Sequence, residues 1–311
     1  MKLAFIGFGE AARAFRQSIA EVAPETTFSA YDILLDSDSG DTMRRAIEAA
    51  GAKAAATPGE AVLDAEWIIC AVTADQSHIA AANVAKYLEK GQIYFDVNSV
   101  APKRKRDNAN LVGGNAATYV DMAIMAPVAT NRHRTPVLVA GNIAGPIEKR
   151  LGELEFDFRI VGETPGQATA IKMVRSLFVK GLEAITVETL LAAEASGCAQ
   201  EILSSLEGSY PGLGWPDFAE YEFERTLTHG LRREAEMREC AATLKGLGLH
   251  DALAEAIADV QGFMGTSGRS MPAESKLGEA LPDLVIRRRS LLQNGLSNGA
   301  HDGRKKQETR L

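Results

Sequence analysis

The sequence predicts an α/β protein: a doubly wound, mostly parallel sheet in the N-terminal half, followed by an all-α C-terminal domain. Three observations carry that expectation. From residue 2 to about 160, short β-branched or aromatic runs alternate with alanine-rich helical stretches, the pattern of a parallel sheet with crossover helices. A glycine-rich turn follows the first run. After Gly162 the strand signal stops, and no proline interrupts Gly166 to Ser196.

Taken in order, Lys2–Ile6 reads as the first strand and Phe28–Asp32 as the second. Trp67–Val72, apolar throughout, reads as a buried strand, and Ile93–Asp96 as another. Val137–Ala140 and Phe158–Val161 finish the sheet, and Glu10–Val22, Thr42–Ala50, Gln76–Glu89 and 144–151 have helical composition. A helix from Gly166 to Ser196 would extend about 45 Å, enough to cross between domains or subunits, and so predicts a homodimer. From Cys198 to about Gly265 the chain is helical again, with a break at Tyr210–Pro216. The polar end is expected to be disordered.

At 311 residues the chain exceeds what one core serves, so two domains are expected. No apolar run approaches the ~20 residues that span a bilayer, which argues against a membrane protein. A net charge of −7 supplies no general field for a polyphosphate backbone, so nucleic acid is not an expected partner. Cys70, Cys198 and Cys240 are odd in number and far apart, which argues against a disulfide framework and a zinc site; a reducing cytoplasm fits this usage.

Gly7-Phe8-Gly9-Glu10-Ala11-Ala12 closes the first strand and opens a helix, the context of a Rossmann-type dinucleotide fingerprint with alanine at its third small position. The first glycine permits the tight turn, the second lets backbone amides approach a pyrophosphate, and the helix N-terminus favours its charge. Asp32, at the end of the second strand, is placed to accept hydrogen bonds from a ribose, which favours NAD over NADP because a 2′-phosphate would meet a carboxylate. Gly7, Phe8, Gly9, Glu10, Ala11 and Asp32 are therefore the expected cofactor residues. The plain alternatives are a strand-to-helix turn and a solvated loop carboxylate. The domains are expected at 1–164 (dinucleotide-binding), 165–295 (helical, substrate and dimerisation) and 296–311 (tail).

Three further segments resemble the β-hydroxyacid and 6-phosphogluconate dehydrogenase superfamily. Asp96-Val97-Asn98-Ser99-Val100-Ala101-Pro102 is similar to its D-x-S-T-x-x-P element near the nicotinamide and substrate. Tyr119 to Pro127 stands where the family carries a substrate-contacting V-D-A-P-V-S-G-G loop, with Met125-Ala126-Pro127 in place of Ser-Gly-Gly. Gly162 to Ser176 resembles the glycine-led helix that delivers the family's catalytic lysine, here Lys172, with Ser176 where an asparagine is usual. Thr228 to Met237 resembles a subgroup with a compact helical C-terminal domain. In 6-phosphogluconate dehydrogenase a glutamate follows the lysine by seven residues; Val179 occupies that place here, which supports simple hydride transfer over decarboxylation.

The resemblance implies an NAD(P)-dependent dehydrogenase acting on a small anionic hydroxyacid or sugar-acid-like alcohol. Lys172 would be its general acid/base, assisted by Ser176. A lysine serves as base near neutral pH only if burial or neighbouring cations lower its pKa. Ser99, Met125, Ala126 and Lys180 are expected at the substrate, Val72 and Asn98 at the cofactor. His229 and Arg233, one helical turn apart, are candidates to clamp a carboxylate or phosphate, with a charged surface helix as the plain alternative. An imine reductase and a catalytically silent NAD(H)-binding regulator are the competing functions.

Overall fold

The computed structural model describes residues 1–114, 117–143, 145–267 and 277–291. The expected tail, 296–311, lies outside the described residues, as do 268–276 and 292–295 of the expected helical domain.

Eight strands form one sheet: β1 Lys2–Ile6, β2 Thr27–Tyr31, β3 Lys53–Ala54, β4 Trp67–Cys70, β5 Ile93–Asp96, β6 Thr118–Ile124, β7 Val137–Ala140 and β8 Phe158–Gly162. Their order is β3-β2-β1-β4-β5-β6-β7-β8. Every neighbouring pair is parallel except β6 and β7. Residues on β1 and its neighbours alternate between two cores. Leu3, Phe5, Trp67, Ile69 and Phe95 join one apolar layer, while Ala4, Ile6, Ile68, Cys70 and Tyr94 join the other. Strands covered on both faces need apolar side chains at every position, which is why these runs lack a polar alternation.

The strand order reverses between β1 and β4, and in open α/β sheets such a reversal opens a crevice at the carboxyl ends of the strands. Of Tyr119–Pro127, which stands where the resembled family carries a substrate-contacting loop, Tyr119 to Ile124 belong to strand β6, and Tyr119 to Ala123 are buried. Only Met125-Ala126-Pro127 leave it, ahead of the short helix Val128–Asn131. That four-residue helix is too short to cross the sheet, so β7 returns antiparallel to β6.

The chain divides into two compact units, Met1–Arg175 with Ala242–Leu249, and Ser176–Ala241 with His250–Leu311. The boundary falls within the long helix Gln167–Ala195, so Lys172 belongs to the first unit and Ser176 to the second. The second unit is helical and its core includes Val187, Leu190, Phe223, Leu227, Met264 and Leu281. Within it, helices Asp217–Gly246 and Ala252–Gly265 touch backbone to backbone: a Cβ on Gly230 would lie 2.3 Å from the Gln261 carbonyl oxygen and 2.5 Å from the Gly265 nitrogen. No helix among the described residues is long and apolar enough to cross a membrane.

Candidate functional site

The glycine turn sits at the strand-order reversal. Gly7 has φ +85°, and a Cβ there would lie 2.4 Å from the Ala71 carbonyl oxygen, so only glycine lets the turn lie against the end of β4. The Gly7 N–H donates to the Tyr31 carbonyl at 2.8 Å. Gly9 is the N-cap of helix Glu10–Val22 and supplies no side-chain acceptor; a Cβ at Gly9 would meet nothing within 4 Å. The first amides of that helix lack intrahelical partners, and no side chain at Gly9 stands before them. Amides beside a side-chain-free approach are what a pyrophosphate requires, so these residues fit a dinucleotide. Glu10 is exposed and Ala11 half-buried in the same first turn.

Phe8 serves this turn through its backbone. Its ring is fully buried, edge-on to Phe5 with centroids 5.8 Å apart, and its N–H donates to Asp32 Oδ2 at 2.7 Å. Asp32 Oδ1 accepts from the Leu34 N–H at 3.0 Å, so this half-buried carboxylate ties the glycine turn to the loop after β2. In that loop the Tyr31 hydroxyl donates to Asp36 Oδ2 at 2.5 Å. Burial, then Asp36, push the Tyr31 pKa up to about 12.

The ends of β4 and β5 are joined by Asn98, whose Oδ1 accepts from the Val72 N–H at 2.7 Å and whose Nδ2 donates to Asp96 Oδ1 at 2.7 Å. Asn98 is buried, while Ser99 beside it is half-buried. Lys172 Nζ donates to Ser99 Oγ at 2.6 Å, bringing the long helix to the loop that follows β5. The helix starts where it does because Asp121 Oδ2 accepts from the N–H groups of Gly166 (2.9 Å) and Thr169 (3.1 Å), an anion at a helix N-terminus. Gly166 has φ +100°, and a Cβ there would lie 2.9 Å from the Pro102 carbonyl oxygen.

Of the remaining expected residues, two follow β6 and the others belong to the helical unit. Met125 is half-buried and Ala126 exposed after β6. In the helical unit Ser176 is 5% exposed and accepts from Lys180 Nζ at 3.2 Å; Lys180 also pairs with Glu236 at 2.7 Å. Arg233 is buried against Glu183, whose other oxygen accepts from Gln261 Nε2 at 2.8 Å. His229, one turn from Arg233, is half-exposed; partial burial, then Arg232, Arg225 and Arg233, lower its pKa. Glu222 is buried beside this network, and burial, then the Glu183 charge, raise its pKa to about 7.

Lys105, Asp121 and Thr169 were not candidates from sequence, yet all three are fully buried around the start of the long helix. A signal for Lys105 existed: in helix Pro102–Gly113 the buried positions are Lys105, Asn108 and Val112, an i, i+3, i+7 stripe that carries polar residues inward. It stands among the bases Lys103, Arg104 and Arg106, a composition that resembles a solvated charge run.

Comparison with known proteins agrees with this architecture. Residues 2–145 match the NAD binding domain of 6-phosphogluconate dehydrogenase, and residues 193–264 match a domain of unknown function, DUF1932. An uncharacterized 28.5 kDa protein in the 7S RNA 5′ region of Methanothermus fervidus is 26% identical over 239 residues, covering 77% of this chain and 89% of that protein. The structure of a conserved hypothetical protein from Sinorhizobium meliloti 1021 is similar at 31% identity and TM-score 0.74, over 92% of this chain and 96% of that one. The 3-hydroxyisobutyrate dehydrogenase of Mycobacterium tuberculosis, solved with L-serine, shares the fold at 14% identity and TM-score 0.67, over 93% of this chain and 98% of that one. The chain thus joins the NAD binding domain of 6-phosphogluconate dehydrogenase to a DUF1932 helical domain, and it belongs to one family with the Sinorhizobium meliloti protein.

Proposed function

We propose that the chain is an NAD(P)-dependent oxidoreductase acting on the CH–OH group of a small anionic hydroxyacid or sugar-acid-like alcohol, with Lys172 as general acid/base. The observation that carries this reading is the 2.6 Å hydrogen bond from Lys172 Nζ to Ser99 Oγ, at the carboxyl edge of the sheet that also holds the glycine turn. When bound, the nicotinamide supplies the hydride acceptor or donor. The chain's own residues do the rest. The amides of Gly9, Glu10 and Ala11 would hold the pyrophosphate, and Asn98 fixes the Val72 amide at the end of β4. Lys172 takes the hydroxyl proton in oxidation and returns it in reduction, and a protonated lysine steadies charge developing on the substrate oxygen. Ser99 keeps the amine aimed.

Asp32, with Asp36 nearby and no basic residue from Ile33 to Asp38, favours NAD over NADP. A second copy of the chain is the expected partner. Ile171, Val174, Phe178 and Ile185 form an exposed apolar stripe on the long helix at 41, 55, 74 and 64% exposure, within about 60° of arc. The three cysteines are free thiols, in keeping with a cytoplasmic protein.

Fluorescence titration with NADH and NADPH, then a turnover screen of hydroxyacids, phosphorylated sugar acids and imines, tests the reading. Lys172→Ala should lower kcat by roughly 100-fold or more with NADH affinity retained. Undiminished turnover in that variant refutes Lys172 as the base, and tight cofactor binding with no turnover of any class favours an NAD(H) sensor.

A further inference from the structure

We propose that Lys105 and Asp121 are positioning residues that set the Lys172 amine against Ser99 without touching substrate or cofactor. The inference rests on the reading of Lys172 given above. It begins with an electrostatic problem. Asp96 and Asp121 are register partners on the parallel strands β5 and β6, and both are fully buried. Neighbouring strands lie about 4.8 Å apart, so two desolvated carboxylates on one face repel each other unless a cation joins them. Lys105 is that cation. It is fully buried, with Nζ 2.9 Å from Asp96 Oδ1 and 3.4 Å from Asp121 Oδ1, and it also donates to the Asp96 carbonyl at 2.6 Å.

The two carboxylates are not equivalent. Asp96 is supplied with further donors from the Tyr119 hydroxyl (2.7 Å), Asn108 Nδ2 (3.1 Å) and the Asn98 backbone and side-chain amides (2.9 and 2.7 Å). Asp121 Oδ1 has no hydrogen-bond partner among the described residues and relies on the Lys105 charge, while Oδ2 holds the Gly166 and Thr169 amides. Thr169 Oγ1 donates to the Val100 carbonyl at 3.0 Å, next to Ser99, and Lys172 is three residues beyond Thr169 on the same helix. One carboxylate thus fixes the helix that carries the amine, and the helix fixes the loop that carries its hydroxyl partner. Lys105 compensates the charge that makes this clamp tolerable in the core.

The test uses Asp121→Asn and Lys105→Met in the full chain, each checked for fold by circular dichroism and for NADH affinity. The first readout is kcat, KM and their pH profile on the best hydroxyacid substrate. The second needs no substrate: the titration of Lys172 followed by NMR of 13C-methylated lysines, assigned with Lys172→Ala. We expect kcat to fall roughly 10- to 100-fold with NADH affinity within about twofold of wild type. The Lys172 titration midpoint should move by about 0.5 pH unit or more. Folded variants with unchanged kcat and unchanged Lys172 titration overturn the proposal. If the wild type turns over nothing, the NMR arm still decides: a moved midpoint upholds the positioning while the proposed reaction fails. If neither charge variant folds, Thr169→Val decides by the same NMR measurement, and an unmoved Lys172 signal refutes the link.

Discussion

Gly7→Ala is the most direct probe of the dinucleotide turn. The new Cβ would lie 2.4 Å from the Ala71 carbonyl oxygen, so at least about 0.6 Å of movement is needed before the contact becomes tolerable. The obstacle is backbone that cannot retreat cheaply. The Ala71 N–H is bonded to the Ile6 carbonyl at 2.8 Å, and the next amide, of Val72, is held by Asn98. The φ of +85° adds about 1–2 kcal/mol for an L-residue, and relieving the overlap adds a comparable amount, giving about 2–4 kcal/mol in all. Because the turn is the mobile side of this contact, much of that cost should appear as displacement of the Gly9 to Ala11 amides. The expected result is a rise of about tenfold or more in the NADH dissociation constant by fluorescence titration, with a melting temperature lower by roughly 4–10 °C. NADH affinity within twofold of wild type at an unchanged melting temperature would refute the reasoning, because it would mean that the close approach is not needed.

Three other outcomes follow from the same contacts. Asp32→Asn removes the charge at the proposed ribose position and one of two acceptors, so the ratio of NADPH to NADH affinity should rise by about threefold or more in paired titrations; an unmoved ratio counts against Asp32 as the discriminator. Glu222 has a folded pKa of about 7 against 4.5 for the free group, so the folded state binds its proton more tightly. Its contribution is full below about pH 4.5 and is lost as pH rises through about 7. After screening this is worth about 1–3 kcal/mol. Glu222→Gln should therefore flatten the loss of urea stability between pH 5 and pH 8, and identical losses in both proteins would show that the proton is not bound there. Gly230→Ala places a methyl 2.3 Å from the Gln261 carbonyl oxygen, backbone against backbone, and should destabilise the helical unit by about 3 kcal/mol or more. A thermal melt within 1 °C of wild type would contradict the close helix crossing.

Much of the architecture was legible one residue at a time. Gly7 and Gly9 read as a turn because their requirement is local: a positive φ and a missing Cβ between a strand and a helix. The apolar run Trp67–Cys70 read as a doubly covered strand for an equally local reason, its composition. The long helix was legible from the absence of proline between Gly166 and Gly197, and Lys172 from the motif that precedes it.

Other features depended on partners distant in sequence. Tyr119 to Ala123 is a strand because β5 and β7 flank it, while a buried Asp121 disguised its apolar character. Arg233 read as a partner of His229 in an anion clamp or, as the plain alternative, as part of a charged surface helix; tertiary packing set it against Glu183, fifty positions away. Lys105 was one base among four until β5 and β6 placed two carboxylates side by side. By itself the sequence determined what each segment could be, since backbone torsion and hydrophobic period are properties of neighbours along the chain. Only the tertiary structure decided which charges meet, because a buried charge takes its partner from whatever the fold brings within a few ångströms.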